Sequence, residues 1–381
     1  MQTLFTPIGS PRAQRVFAAA FLLMLVLPLA AQLAGWNNQV QLLERREPAG
    51  FPSLPHTRDA LQAWPHQVDR YLIDRIGFRS ALVLAGSYLE TSLFRRSTSN
   101  EVVLGSDGWL FYSGNHTLEQ MRGADLFTST ALDRWIDSME TQRDWLAARG
   151  VPLLMVVVPN KERVYHEHLP TSAGALAPIT RLTQIERRLI ERQSTLHLLD
   201  LTDALVAAKD DGQMYARRDT HWSGLGAFVG YLEIMRHLQP LLPQLDPLRP
   251  EQMDAVAITY PAYDLDLMRM LGLGLAGKGE TLDYPLFRGR PTWTTAREDS
   301  IANGKRRMRL TSTREHAPTA VWFHDSFSDT LAVYLNATFS TVTLEEQAGF
   351  RFDHLLIEQA KPDVVVYEFV ERFLIIEPAT D

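Results

Sequence analysis

Ser326 lies where an apolar run gives way to a helical pattern. Thr319 to Phe323 is short and bounded, as a buried strand is. His324-Asp325-Ser326 follows at once, and Phe327, Leu331, Tyr334 and Leu335 then recur at helical spacing. At such a junction backbone N–H groups are unpaired and the helix dipole is positive. A hydroxyl there can attack a carbonyl while those N–H groups hold the developing oxyanion. The attack needs a base. Asp219 and His221 are two apart, which in an extended segment places both side chains on one face. The carboxylate then holds one imidazole nitrogen and the other faces a hydroxyl. Asp-x-His alone is a weak signal and reads more often as a histidine satisfied by a helix-capping aspartate. Beside a strand-end serine, each motif supplies what the other lacks. Ser326 is the candidate nucleophile, His221 the base and Asp219 the orienter. A metal set of Asp219, His221, His324 and Asp325 is the alternative, and it requires the two segments to converge.

The elements that must position these groups follow from periodicity. Leu61 to Phe94 reads as helical, and Val102 to Tyr112 as a β-hairpin turning at Gly105-Ser106-Asp107-Gly108. Ala131 to Arg149 is an amphipathic helix. Val151 to Val158 is an unbroken β-branched run, expected to be a strand buried on both faces, and Asn160-Lys161 follows it. A helix over Ile179 to Gln193, a short strand over Leu196 to Leu201 and a helix over Gly224 to Leu238 come next. Glu251 to Arg314 is poorly periodic and reads as an excursion. Asp363 to Phe369 is a last buried strand. Strands alternating with helices predict an α/β fold with a mostly parallel sheet flanked by helices, and sites beyond the C-terminal strand ends. Asn160-Lys161, Ser326 and Glu368 all fall at such ends.

The chain has 381 residues, 45% hydrophobic and 22% charged, with net charge −7. No long basic run appears, so nucleic acid is not an expected partner. With no cysteine, disulfides, thiolate chemistry and cysteine-ligated metals are excluded. Arg12 and Arg15 precede a chargeless stretch from Val16 to Leu43, whose most apolar part, Val16 to Ala34, is long enough to cross a bilayer as a helix. Positive charge before it predicts a cytoplasmic N-terminus and a body outside. An uncleaved anchor is expected over the rival signal peptide, because the run is long for a signal and Leu29-Ala30-Ala31 is only a fair cleavage site. The expected division is an anchor and linker over 1–47, a helical lead-in over 48–100, and a catalytic body over 101–381 with an irregular excursion at about 240–315.

Asp219-Thr220-His221-Trp222, with a later His324-Asp325-Ser326-Phe327 after a strand, resembles the AlgJ/AlgX-like alginate O-acetyltransferases. Gly108-Trp109-Leu110-Phe111, Val158-Pro159-Asn160-Lys161, Asp264-Leu265-Asp266-Leu267-Met268 and Pro362 to Leu374 extend the similarity. It spans roughly residues 100 to 375. The resemblance implies an SGNH-hydrolase-like domain with its motifs in permuted order, preceded by a transmembrane helix. It implies a Ser326–His221–Asp219 triad with no cofactor and no metal. It also implies a polysaccharide substrate and a membrane-bound O-acyltransferase as acetyl donor. Its setting is the bacterial inner membrane, with a single-pass anchor and the catalytic domain in the periplasm. A glycan O-acetyl esterase and a non-catalytic polysaccharide-binding subunit are the competing readings.

Several neighbouring residues remain open between two roles. Asn160 adds an amide donor to the oxyanion hole or caps its turn. Lys161 pairs with a uronate or is solvated. His324 stands where glycine is usual, and packs, contacts substrate or acts as a second base. Trp222 is the expected sugar contact among Trp109, Trp222, Trp293 and Trp322, with Trp322 more suited to the core. Arg288-Gly289-Arg290 and Lys305-Arg306-Arg307 attract an anionic polymer or form solvated loops. Glu371-Arg372 reads as an ion pair.

Overall fold

The computed structural model describes residues 10–34, 47–275, 277–289, 293–302, 304–347 and 349–378; Arg290 lies outside them. The chain divides into two compact units. One comprises Met1–Ser99 with Ala262–Lys278, the other Asn100–Pro261 with Gly279–Asp381.

The strands are, in chain order, β1 (Val102–Leu104), β2 (Leu110–Tyr112), β3 (Leu153–Val158), β4 (His197–Asp200), β5 (Met253–Tyr260), β6 (Glu280–Phe287), β7 (Thr295–Ala302), β8 (Lys305–Ser312), β9 (Thr319–His324), β10 (Thr341–Glu346) and β11 (Val364–Val370). All belong to the second unit. Seven of them form one sheet in the order β4-β3-β11-β9-β10-β8-β7. The pairings from β4 to β10 are parallel, and β8 and β7 close the edge in antiparallel fashion. Strands β3 and β11 are buried at every residue, which is why they read as continuous apolar runs rather than alternating ones.

Alternate side chains of those strands enter two cores. Leu154, Val156, Val158, Trp322, Val364 and Val366 face one, with Phe228, Tyr231 and Leu238 of the Gly224–Leu238 helix and Leu331 and Leu335 of the Ser328–Asn336 helix. Leu153, Met155, Val157, Val321, Phe323, Val365 and Tyr367 face the other. There the Ser129–Ala147 helix contributes Leu132, Trp135, Ile136 and Met139, a three–four spacing that makes a single buried stripe. The Gly224–Leu238 helix starts on Ser223, whose hydroxyl accepts the Gly226 N–H at 2.9 Å. A Cβ at Gly226 would stand 2.1 Å from the Met214 carbonyl oxygen, so only glycine lets this helix approach the preceding loop.

Residues 240–315 are more regular than the sequence pattern indicates. β5 and β6 form a two-stranded antiparallel ribbon, and β7 and β8 extend the main sheet. β7 is exposed along almost its whole length, so it carries no apolar alternation to detect. In β8 only Met308 and Leu310 are buried.

In the other unit, the Pro11–Leu33 helix is capped by Ser10 and is long and apolar enough to cross a membrane. The Arg58–Arg75 and Arg79–Tyr88 helices follow, joined by a turn in which Phe78 is left-handed.

Phe323 is fully buried between β10 and β11 and packs on Phe352 and Tyr367 with ring centroids 5.3 and 5.7 Å away. Phe323→Ala is expected to lower the midpoint of chemical unfolding by an amount equivalent to about 3–5 kcal/mol. An unchanged midpoint would contradict the two-core packing.

Candidate active site

Two loops meet at the C-terminal ends of the central strands. The first runs from Met214 to Ser223. Tyr215 and Trp222 bridge in antiparallel fashion, Ala216 N–H donates to the His221 carbonyl at 3.2 Å, and Ser223 N–H donates to that of Met214 at 2.8 Å. The tip therefore carries Asp219 and His221. Asp219 Oδ1 accepts the backbone N–H of His221 at 3.0 Å and lies 2.6 Å from its Nδ1. The same carboxylate thus fixes both the backbone and the ring of the histidine. This leaves Nε2 to face outward, 2.8 Å from Ser326 Oγ. The ring packs on Phe327, with centroids 4.9 Å apart.

The loop is clamped from two sides. Lys161 Nζ donates to the carbonyls of Ala216 (3.1 Å), Arg217 (3.2 Å) and Asp219 (2.6 Å). Glu280, at the start of β6, accepts the backbone N–H groups of Arg217 at 2.8 Å and Arg218 at 3.2 Å. Lys161 is 3% exposed, so neither a solvated chain nor a uronate contact describes it. Its ammonium, already directed at loop carbonyls, is removed from any polymer. Glu280 was not evident in the sequence, where nothing connects it to a loop sixty residues earlier.

The second loop follows β9. Asp325 accepts N–H from Phe327 at 2.9 Å and from Val370 at 2.7 Å, which ties the serine turn to the end of β11. Ser326 is the exposed residue of that turn, and the Ser328–Asn336 helix begins two residues later. Beneath it, Trp322 Nε1 donates to Ser328 Oγ at 3.0 Å, and Ser328 donates to Glu368 Oε2 at 2.5 Å. Burial, reinforced by the charge of Asp325, pushes Glu368 well above the usual carboxylate range.

The other expected contacts are repositioned by the structure. Trp222 is 4% exposed and donates its indole N–H to the Phe327 carbonyl at 3.0 Å, so it braces the serine turn and is not a sugar platform. Trp109 and Trp322 are buried as well, and Trp293 packs on Phe287. His324 is 2% exposed, its Nδ1 lies 2.6 Å from the Asp325 carbonyl, and burial lowers its pKa. It packs under the turn and reaches no substrate. With Asp325 and His324 committed to backbone groups, two members of the metal alternative are removed. Asn160 makes no side-chain cap; its Oδ1 accepts Arg372 N–H at 3.2 Å. Glu371 pairs with Arg163 at 2.9 Å rather than with Arg372, whose guanidinium lies over the Phe327 ring at 5.5 Å. Lys305, Arg306 and Arg307 start β8 and are not a loop, and Arg307 binds the buried Glu345. A cleft of about 650 Å³ opens at Ser326, with Lys305, Arg306, Arg351, Glu346 and Gln347 among its walls.

A family model described as an SGNH hydrolase-like domain, acetyltransferase AlgX, matches residues 102–370. The chain belongs to this family. The family and the fold are those the motifs led us to expect. Among curated relatives, the probable alginate O-acetylase AlgJ of Pseudomonas aeruginosa is 35% identical over 139 residues, covering 36% of this chain and 33% of that protein. The protein of the same name from Pseudomonas syringae pv. tomato is 30% identical over 210 residues, or 55% and 49%. The matches thus span between a third and a half of those relatives. The structure of Bacillus cereus PatB1 superposes with a TM-score of 0.54 at 13% identity, over 72% of this chain and 97% of that one, which shows a shared fold.

Glu162, next to the clamp lysine, is buried and its pKa is raised by that burial from 4.5 to about 7. Between those values the folded state holds a proton that the unfolded chain has released. Stability from this group is present below pH 4.5 and lost as pH rises through 7. Glu162→Gln abolishes the titration. Its stability relative to the natural chain is expected to increase between pH 5 and 8 by on the order of 3 kcal/mol in parallel unfolding curves. A difference independent of pH would contradict the assignment.

Proposed function

We propose that the chain is an O-acetyltransferase that modifies a bacterial exopolysaccharide through an acetyl-serine at Ser326. The observation carrying this reading is the relay Asp219–His221–Ser326, with its spacings of 2.6 and 2.8 Å. Family membership supports the reaction class. The names of the relatives support alginate or a similar polymer as acceptor.

His221 Nε2 takes the proton of Ser326 Oγ, and the oxygen attacks the acetyl carbonyl of a donor ester or thioester. The imidazolium stays paired with Asp219. The tetrahedral intermediate collapses, the bond to the leaving group breaks, and His221 returns the proton to that group. A sugar hydroxyl then loses its proton to His221 and attacks the acetyl-serine. Expulsion of Ser326 Oγ, reprotonated by His221, completes the transfer. The backbone N–H of Ser326 holds the oxyanion. Asn160 is the second donor in this reading. Its carbonyl oxygen is occupied by Arg372 N–H, which turns its NH2 group away from that backbone.

The acetyl donor is a membrane-bound O-acyltransferase, which passes acetyl across the inner membrane. The Pro11–Leu33 helix is an uncleaved single-pass anchor that keeps the catalytic unit on the periplasmic face.

Ser326→Ala and His221→Ala are each expected to lower acetyl transfer from a chromogenic ester to an acidic oligosaccharide by at least about 10³-fold with unchanged circular dichroism. Asn160→Ala is expected to cost about 10²-fold. Transfer that persists in Ser326→Ala would overturn the acetyl-serine. Acetyl delivered to water alone, at an undiminished rate, would make the chain an esterase.

A further inference from the structure

The mechanism makes no use of the helices between the anchor and the catalytic unit, yet these carry much exposed apolar surface. Leu61 is 61% exposed and Leu72 48% on the Arg58–Arg75 helix; Leu82 is 51% exposed on the Arg79–Tyr88 helix. Leu89 and Leu93 beyond it are 51% and 68% exposed. Leu61 and Leu72 are eleven residues apart and fall on one side of the Arg58–Arg75 helix; Leu82 lies on the next helix and Leu89 in the π-helical segment Leu89–Leu93 that continues it. The opposite side of the first helix carries His66 and Arg70. These are amphipathic helices whose apolar stripes no described residue covers.

What covers them follows from the turn that joins them. Gly77 N–H donates to the Pro28 carbonyl at 3.1 Å. A Cβ at Gly77 would lie 2.4 Å from that oxygen and 2.5 Å from Ala31 Cβ. The tip of the hairpin is therefore packed directly on the Pro11–Leu33 helix, about one turn before its end. Anything attached at that height on a membrane span sits at the boundary between acyl chains and headgroups. Exposed Arg95 and Arg96, just past the stripe, suit the anionic headgroups there.

We infer that the 58–94 hairpin lies in the outer surface of the bilayer, with the Leu61, Leu72, Leu82 and Leu89 stripes inserted among the lipids. This rests on the anchor reading above. The hairpin then acts as a second, reversible contact of the anchor unit with the membrane.

The chain has no cysteine, so single labels are clean. Leu61→Cys, Leu82→Cys, Leu89→Cys, Arg70→Cys and Leu25→Cys in the full chain are labelled with a nitroxide. They are reconstituted without other proteins in vesicles of phosphatidylethanolamine and phosphatidylglycerol. Accessibility to oxygen is compared with accessibility to a water-soluble nickel chelate. The expected oxygen-to-nickel ratio is several-fold higher at Leu61, Leu82 and Leu89 than at Arg70, and highest at Leu25. Ratios at the stripe equal to that at Arg70, with Leu25 still in lipid, would overturn the inference and leave the stripe as a surface for a protein. An aqueous Leu25 would overturn the anchor reading, and the inference with it.

Discussion

A single hydrogen bond, His221 Nε2 to Ser326 Oγ at 2.8 Å, joins segments 105 residues apart. Neither loop can make it alone, because the serine turn follows β9 inside the sheet and the histidine loop leads into the Gly224–Leu238 helix. The bond exists because β3, β11 and β9 are adjacent and parallel, so their C-terminal ends arrive at one rim. The connections to that rim are made by backbone groups. Asp325 after β9 holds Val370 N–H at the end of β11. Asn160 after β3 donates its own N–H to Glu371 at 3.2 Å and accepts that of Arg372. Tyr215 donates its hydroxyl to the Pro159 carbonyl at 2.5 Å, which ties the histidine loop to β3. Three strand ends and one loop are thus cross-linked by short polar contacts within a dry layer, where such bonds are strongest and their loss is most costly.

The rim concentrates buried charge. Lys161, Glu162, Glu368 and Glu371 are all nearly inaccessible. Burying an ammonium is costly unless its protons are used, and Lys161 directs them at carbonyls of the loop that bears His221. Burying a carboxylate is costly unless it is paired or neutral. Glu371 is paired with Arg163, and Glu162, Glu368 and Glu371 all have their pKa values raised by desolvation. Glu368 accepts the Ser328 hydroxyl under the serine turn, and its burial beside the charge of Asp325 favours its uncharged form. The result is a stiff platform below an exposed hydroxyl, which is what an attack on a carbonyl requires.

The central strands and the relay were legible in the sequence for physical reasons. Val151 to Val158 and Asp363 to Phe369 are continuous apolar runs because both of their faces are covered. Ser326 stands just past the end of β9, and Asp219 and His221 are two residues apart on the loop before the Gly224–Leu238 helix, a spacing that sets both side chains together. Roles set by side-chain direction were not legible. Trp222 directly follows His221, yet alternation turns it inward to Phe327, so adjacency to the base predicted the wrong face. Lys161 is a polar residue just past a strand, where solvent is the ordinary expectation, and tertiary packing overrides it; His324, at the end of β9, takes the packing role among those open to it. Glu280 acts on Arg217 and Arg218 through their backbone, which leaves no residue-type signature. β7 escaped notice because an exposed edge strand needs no apolar pattern.

The account turns on Ser326 becoming acetylated by the imidazole of His221, and mass spectrometry reads this directly. The full chain is mixed with an acetyl ester, quenched in acid and digested. Acetyl is expected on the peptide that carries Ser326, formed rapidly in the natural chain and at a rate lower by at least about 10³-fold in His221→Ala. Acetyl found at another residue, or on Ser326 at the same rate without the imidazole, would contradict it.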